Sequence, residues 1–187
     1  MNKIIYISGT HGSGKSTLAR EFIKAHGGVL QTITINNSIV TMTKDGLAVL
    51  GDYSIPCGGI DRYKDWTQIA SVITELVKVS CPVIFLEGMI TYGKDKYLSL
   101  NQIEGYEFLF IKLNTEINQC ISNVLKRRAE QGNEKEFNPR HVYYKEKCWY
   151  SMYITLLEAG VKHCYNISFE QALCCIDWFI SSEEEAK

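Results

Sequence analysis

The 187 residues carry 20 Lys and Arg against 21 Asp and Glu, a formal net charge of −1, and 45% of them are hydrophobic. That length suits one domain with a sizeable core, and no apolar run is long enough to cross a bilayer. Near-zero charge excludes a global field that would draw the chain to nucleic acid, so a DNA substrate would need a local basic surface.

Taken in chain order, Met1, Asn2 and Lys3 lead directly into Ile4, Ile5, Tyr6 and Ile7, which predicts a buried first strand and no signal or transit peptide. The strand runs into Gly9-Thr10-His11-Gly12-Ser13-Gly14-Lys15-Ser16, followed by Thr17. This matches G-x-x-x-x-G-K-[ST], the phosphate-binding loop, with a strand before it and a helix predicted over 16–25 after it. Glycines let the backbone curl so that successive N–H groups face an anion, and the helix N-terminus adds partial positive charge. In this pattern Lys15 reaches the β- and γ-phosphates, Ser16 ligates Mg²⁺ and Thr17 approaches the α-phosphate. His11 is of interest only for its place in the loop. The motif points to a nucleoside triphosphate and leaves open what is done with it.

A second strand is predicted over 29–35. Apolar segments 39–42 and 47–50 flank Lys44-Asp45-Gly46, where Asp-Gly signals a hairpin turn. This hairpin reads as an insertion on the substrate side, spanning about 36–64 with the loop that follows it. That loop contains Asp52, Tyr53, Pro56, Cys57, Gly58, Gly59, Asp61, Arg62 and Tyr63, too rich in glycine for a regular element. Cys57 reads as a packing residue of the loop rather than a nucleophile. Asp65 with Gln68 resembles a capping box opening a helix whose Trp66, Ile69, Ile73, Leu76 and Val77 share a face.

The continuous apolar run 82–86 predicts a central parallel strand buried on both faces. It ends at Glu87-Gly88, where a carboxylate beside a phosphate loop can orient Mg²⁺ or its water, the Walker B arrangement. Segment 92–105 reads as partly helical at best, and 108–113 as the next strand. The helix after Asn114-Thr115 ends at Lys126-Arg127-Arg128, a cationic end that either complements the helix dipole or forms a phosphate-clamping lid over about 126–140. A helix over 141–159 carries Tyr143, Tyr144, Trp149, Tyr150 and Tyr153, most of them expected in packing, with a base-stacking platform as the lesser alternative. A last strand, 163–167, and a helix capped by Ser168 and Gln171 close the chain. Segment 181–187, with Glu183, Glu184 and Glu185, reads as a solvated tail.

The seven cysteines are odd in number, include the adjacent pair Cys174-Cys175 and form no C-x-x-C. Reduced thiols and a cytoplasmic location are expected rather than a disulfide framework or a zinc site. Strands alternating with helices imply an α/β fold with a parallel sheet, right-handed crossovers and a ligand outside the carboxyl ends of the strands.

Segment 9–17, the strand ending at Glu87-Gly88 and Lys126-Arg127-Arg128 resemble the nucleoside and nucleotide kinase branch of phosphate-loop proteins. That resemblance implies a three-layer kinase domain over 1–187, with a five-stranded parallel sheet, helices on both faces and a basic lid. A narrower similarity lies in Gly51-Asp52-Tyr53, Cys57-Gly58-Gly59-Ile60-Asp61 and the stretch from Arg127 through Lys135 to Asn138-Pro139. These resemble the bacteriophage-encoded kinases that phosphorylate 5-hydroxymethyluracil within DNA. The similarity implies ATP and Mg²⁺, a host-cytoplasm location, and Tyr53, Cys57, Gly58, Gly59, Asp61 and Arg62 as substrate-binding residues. Asp61-Arg62-Tyr63 is also similar to the Asp-Arg-Tyr motif of thymidylate kinases, but stands before the Glu87 strand, where that family has it at the strand's end. Uridine-kinase-like proteins share the strand ending in Glu-Gly, with no match to their substrate segment.

The expected chemistry is in-line phosphoryl transfer to a hydroxyl, with Lys15, Arg127 and Arg128 neutralising charge and Asp61, or else Glu87, taking the hydroxyl proton. A free nucleoside or nucleoside monophosphate as acceptor, and a nucleotide-dependent switch without an acceptor, stay open. So do ATP against GTP and the oligomeric state.

Overall fold

Ile4, Ile5, Tyr6 and Ile7 are completely buried in strand β1 (Asn2–Ser8), and the sheet is assembled around them. The structure is a computed structural model that describes residues 1–55, 58–88 and 94–182, without the side chain of Lys94. On one side β1 pairs in parallel with β5 (Val83–Glu87), on the other with β6 (Tyr106–Leu113). Parallel pairing extends outwards to β4 (Ala48–Leu50) beyond β5 and to β7 (His163–Ile167) beyond β6.

Two further strands, β2 (Val29–Ile35) and β3 (Ser38–Thr43), continue the sheet antiparallel beyond β4, giving the order β2-β3-β4-β5-β1-β6-β7. The sheet therefore has seven strands where five were expected. The difference lies in the hairpin. Its turn at Asp45-Gly46 forms, but β4 pairs with β5, so the hairpin widens the sheet rather than folding over the substrate side. A second tight turn at Asn36 and Asn37, with φ of 49° and 59°, joins β2 to β3. Asparagine tolerates that left-handed backbone.

Alternation along β1 divides the core in two. Ile5 and Ile7 face α1 (Lys15–Ala25) and α6 (Phe169–Ser181), packing with Leu18, Phe22, Phe85, Ile111, Ile176 and Phe179. Ile4 and Tyr6 face the other layer, with α2 (Trp66–Lys78), α3 (Lys94–Asn101) and α5 (Arg140–Glu158), among Ile69, Leu86, Tyr97, Phe110, Trp149 and Leu156. Each such large apolar side chain contributes about 1.5–3 kcal/mol on burial. Helix α4 (Ile117–Glu130) buries only Cys120 and Val124.

Ser168 and Gln171 form the reciprocal capping box of α6. Asp65 accepts from the Gln68 amide, while the Gln68 side chain accepts from Lys64 rather than from Asp65 itself. Segment 92–105 holds the full helix α3 in its described part. Of the five aromatics noted on α5, Trp149 is buried, but Tyr143, Tyr144 and Tyr150 are exposed, against the expectation that most would pack. The six described cysteines are free thiols, and among the described residues no helix is long and apolar enough to cross a membrane. The tail 183–187 lies outside the described residues.

Candidate active site

The loop from β1 to α1 crosses the carboxyl end of the sheet between β5 and β6, consecutive strands that lie on opposite sides of β1, and such sheets bind ligands outside the carboxyl ends of their strands. Its backbone turns at Gly9, Gly12 and Gly14, with φ of 148°, 77° and 100°. Gly12 also permits a close approach: a Cβ there would lie 2.2 Å from the Cys120 carbonyl oxygen of α4. Three hydrogen bonds clamp the loop from outside. Thr10 Oγ1 donates to the Val142 carbonyl at 2.8 Å, Thr115 Oγ1 to the Ser13 carbonyl at 2.8 Å, and Asn123 Nδ2 to the Gly12 carbonyl at 2.9 Å. The first amides of α1 have no partner within the helix and carry its positive end towards the loop.

Lys15 is 7% exposed, and its ammonium donates to the carbonyls of Gly9 at 3.0 Å and Thr10 at 2.9 Å, folding the side chain back across the loop. Burial pushes its pKa below that of an ordinary lysine, against the opposing pull of Glu87 and Asp61. His11 is pushed down too, first by burial and then by Lys15. Ser13 Oγ is buried without a hydrogen-bond partner, and Thr17 is exposed at the start of α1.

Glu87, at the tip of β5, is 2% exposed. Its Oε1 accepts from Ser16 Oγ at 2.8 Å and from the Tyr53 hydroxyl at 3.2 Å. Burial raises its pKa, while Lys15 and the Ser16 hydrogen bond oppose the rise. Two oxygen donors, a serine hydroxyl and a carboxylate, thus meet beside the glycine-turned loop. This is the hard-oxygen chemistry that suits Mg²⁺ held jointly by protein and phosphates.

The glycine-rich loop closes over this carboxylate. Asp52 N–H donates to the Gly58 carbonyl at 2.8 Å, and a Cβ on Gly58 would fall 1.8 Å from the Asp52 carbonyl oxygen. On Gly59 it would fall 2.4 Å from both the backbone oxygen and Oε1 of Glu87. These two glycines, expected to bind substrate, are placed where only backbone fits. Asp61 is exposed in a short 3-10 turn, Ile60–Arg62, beside Gly88, and acts electrostatically on Glu87, Lys15 and His11. Two carboxylates therefore share the tip of β5, one buried and one open to solvent.

Tyr53 is buried, with its hydroxyl committed to Glu87. Arg62 lies away from this group, lining a cavity of about 210 Å³ with Asn37, Ser38, Ile39, Gly51, Asp52, Tyr63 and Gln68. Cys57 lies outside the described residues. The two arginines expected in a lid separate. Arg127 joins Ser16, Thr17, Arg20, Tyr53, Ser54 and Ile55 around a pocket of about 410 Å³. Arg128 turns to the connecting loop, donating to Asn133 Oδ1 at 3.3 Å and to the Lys135 carbonyl, with Phe137 beneath its guanidinium.

Arg20, outside the motif, also reaches this group of residues. It donates to the Ser16 carbonyl at 3.3 Å and the Ile55 carbonyl at 2.7 Å, and stands 6.0 Å from the Tyr53 ring, joining α1 to the glycine loop. Its position four residues after Ser16, on the same helix face, was the available signal. Thr115 and Asn123 had none, since they meet the loop only through the fold.

No family model matches the chain. It is similar to a 5-hmdU DNA kinase of Pseudomonas phage PaMx11, with 27% identity over 152 residues that cover 78% of this chain and 80% of that protein. This relative supports the resemblance to phage 5-hmdU DNA kinases.

Proposed function

We propose that this chain is a kinase that transfers the γ-phosphoryl group of ATP to the 5-hydroxymethyl group of 5-hydroxymethyluracil in DNA. The observation that carries phosphoryl transfer is the Ser16–Glu87 pair, 2.8 Å apart, at the mouth of a glycine-turned loop whose lysine is buried beside it. The acceptor rests on the similarity to the phage enzyme.

The residues present fit both groups the reaction needs. The left-handed glycines and the amino end of α1 suit a triphosphate, and the Ser16 and Glu87 oxygens suit Mg²⁺. Held by Ser16 and Glu87, Mg²⁺ would neutralise phosphate charge. Lys15, once released from the Gly9 and Thr10 carbonyls, would offer its ammonium to the phosphates. Tyr53 and Ser16 hold Glu87 in one orientation, and Arg127 brings a guanidinium to the pocket from the α4 side.

Asp61 is the base in this reading. It is the solvent-facing carboxylate of the pair, whereas burial makes Glu87 the worse-solvated one. The acceptor oxygen forms a bond to the γ-phosphorus as the bond to the β,γ-bridging oxygen breaks; ADP leaves, and the hydroxyl proton passes to Asp61.

The test is an acceptor panel with γ-labelled ATP: duplex DNA containing 5-hydroxymethyluracil, thymine DNA, free nucleosides and nucleoside monophosphates. Label entering only the hydroxymethyl DNA is the expected result. Saturable labelling of a monomer with none in polymer would replace this reading with a nucleoside or nucleotide kinase. Hydrolysis alone would make the chain a nucleotide-dependent switch.

A further inference from the structure

The first turns of α5 carry a surface that the phosphoryl-transfer chemistry does not use. Arg140, Tyr143, Tyr144 and Lys147 fall on one face at helical spacing, opposite the buried Val142 and Trp149. Tyr143 is 46% and Tyr144 57% exposed, unusual for large aromatics on a helix whose other face is core. Between residues 140 and 151 the sole acid is Glu146, and it is engaged with the buried Lys112. The outer face is therefore basic and aromatic on a chain whose net charge is −1.

The start of the helix that carries this face is tied to the active site. Thr10 of the phosphate loop donates to the Val142 carbonyl, anchoring the start of α5 at the loop. Lys145, on the flank of the same turns, lies close enough to His11 to act on its charge, as does Arg127 from α4. Towards the connecting loop, exposed Lys126 and Lys135 are interspersed with exposed Glu130, Glu134 and Glu136, so the basic character is concentrated on α5 itself.

We infer that this α5 face is the track for a DNA strand, with Arg140 and Lys147 on phosphates and Tyr143 and Tyr144 stacked on unpaired bases. The inference rests on the proposed DNA substrate and adds where the polymer runs. Charge complementarity selects the phosphodiester chain, and aromatic stacking selects bases that are not paired, since every base offers a π-face.

Fluorescence anisotropy with a labelled twelve-nucleotide thymidine strand and the full chain tests it without requiring phosphoryl transfer. Lys147→Glu should weaken binding and flatten the dependence of log K on log salt by about 0.7 for each phosphate no longer neutralised. The Tyr143→Ala/Tyr144→Ala double variant should weaken binding at least about fivefold while leaving that slope unchanged. Lys78→Glu, exposed in the last turn of α2, should bind as wild type, and melting curves should match throughout. Wild-type affinity in both α5 variants, or an equal loss in Lys78→Glu, overturns the track. Label transfer to hydroxymethyl DNA with α5-independent binding would overturn this inference alone. Binding that depends on α5 without any transfer would sustain it and overturn the proposed acceptor.

Discussion

Gly59→Ala tests the architecture of the site with one methyl group. The φ of Gly59 is −66°, open to any residue, so the cost is steric. The added Cβ would lie 2.4 Å from the Glu87 backbone oxygen and 2.4 Å from its Oε1, about 1 Å inside the 3.4 Å at which ordinary contact begins. Rotating the carboxylate relieves only one of the two clashes, so the loop must lift from the end of β5. Overpacking of this kind costs about 1–3 kcal/mol, a fall in Tm of roughly 2–12 °C for a chain of this size. The same shift disturbs the Ser16–Glu87–Tyr53 hydrogen bonds, and misplacement by about 1 Å costs on the order of a hundredfold in rate. The control is Gly105→Ala, at a φ of 79° with nothing within 4 Å of the new Cβ. Left-handed strain there costs about 1–2 kcal/mol, so Tm should fall comparably with kcat unchanged. Calorimetry paired with steady-state transfer rates separates the two. A Gly59→Ala enzyme with wild-type kcat would refute the claim that this loop positions Glu87.

Other substitutions probe the remaining roles. Because burial raises the Glu87 pKa, the folded chain holds that proton more tightly than the unfolded chain. Its contribution to stability therefore declines as pH rises from the ordinary value of 4.5 through the raised one. Glu87→Gln should abolish Mg²⁺-dependent transfer yet melt higher than wild type at neutral pH, with the difference shrinking towards acid; a lower Tm at neutral pH would contradict the assignment. Arg127→Ala should lower transfer on the order of a thousandfold at unchanged Tm. Arg128→Ala should lower it less and increase proteolytic cleavage across 131–137, and equal rate losses would show that both arginines face the phosphates. Asp61→Asn should reduce kcat by about 10²–10⁴-fold with ATP affinity unchanged, and an unaltered rate would make Asp61 a turn residue.

What could be read from the chain alone was local. The glycine-rich turn 9–16 carries its own strand and helix within about two dozen residues, and the Asp45-Gly46 turn and Ser168–Gln171 cap declare themselves by spacing. Glu87 was legible because an apolar run stops at it. The rest depends on partners distant in sequence. Nothing within segment 51–63 shows that Tyr53 turns inwards to Glu87, or that Gly58 and Gly59 are small because backbone and carboxylate press against them. Arg127 and Arg128 read as one cationic cluster; adjacent positions on a helix point about 100° apart, and the fold sends one to the pocket and the other to the loop. The α5 tyrosines read as core because periodicity reports a shared face and not what covers it.

In the proposed reaction Lys15 and its loop deliver a phosphoryl group to a hydroxymethylated base. Its most direct measurement is transfer of label from γ-labelled ATP into 5-hydroxymethyluracil DNA by wild type and by Lys15→Ala, with the DNA then digested to nucleosides. Label on the hydroxymethyl nucleoside is expected with wild type, and none with the folded Lys15→Ala chain. Label elsewhere in the DNA, or near-normal transfer by Lys15→Ala, would contradict it.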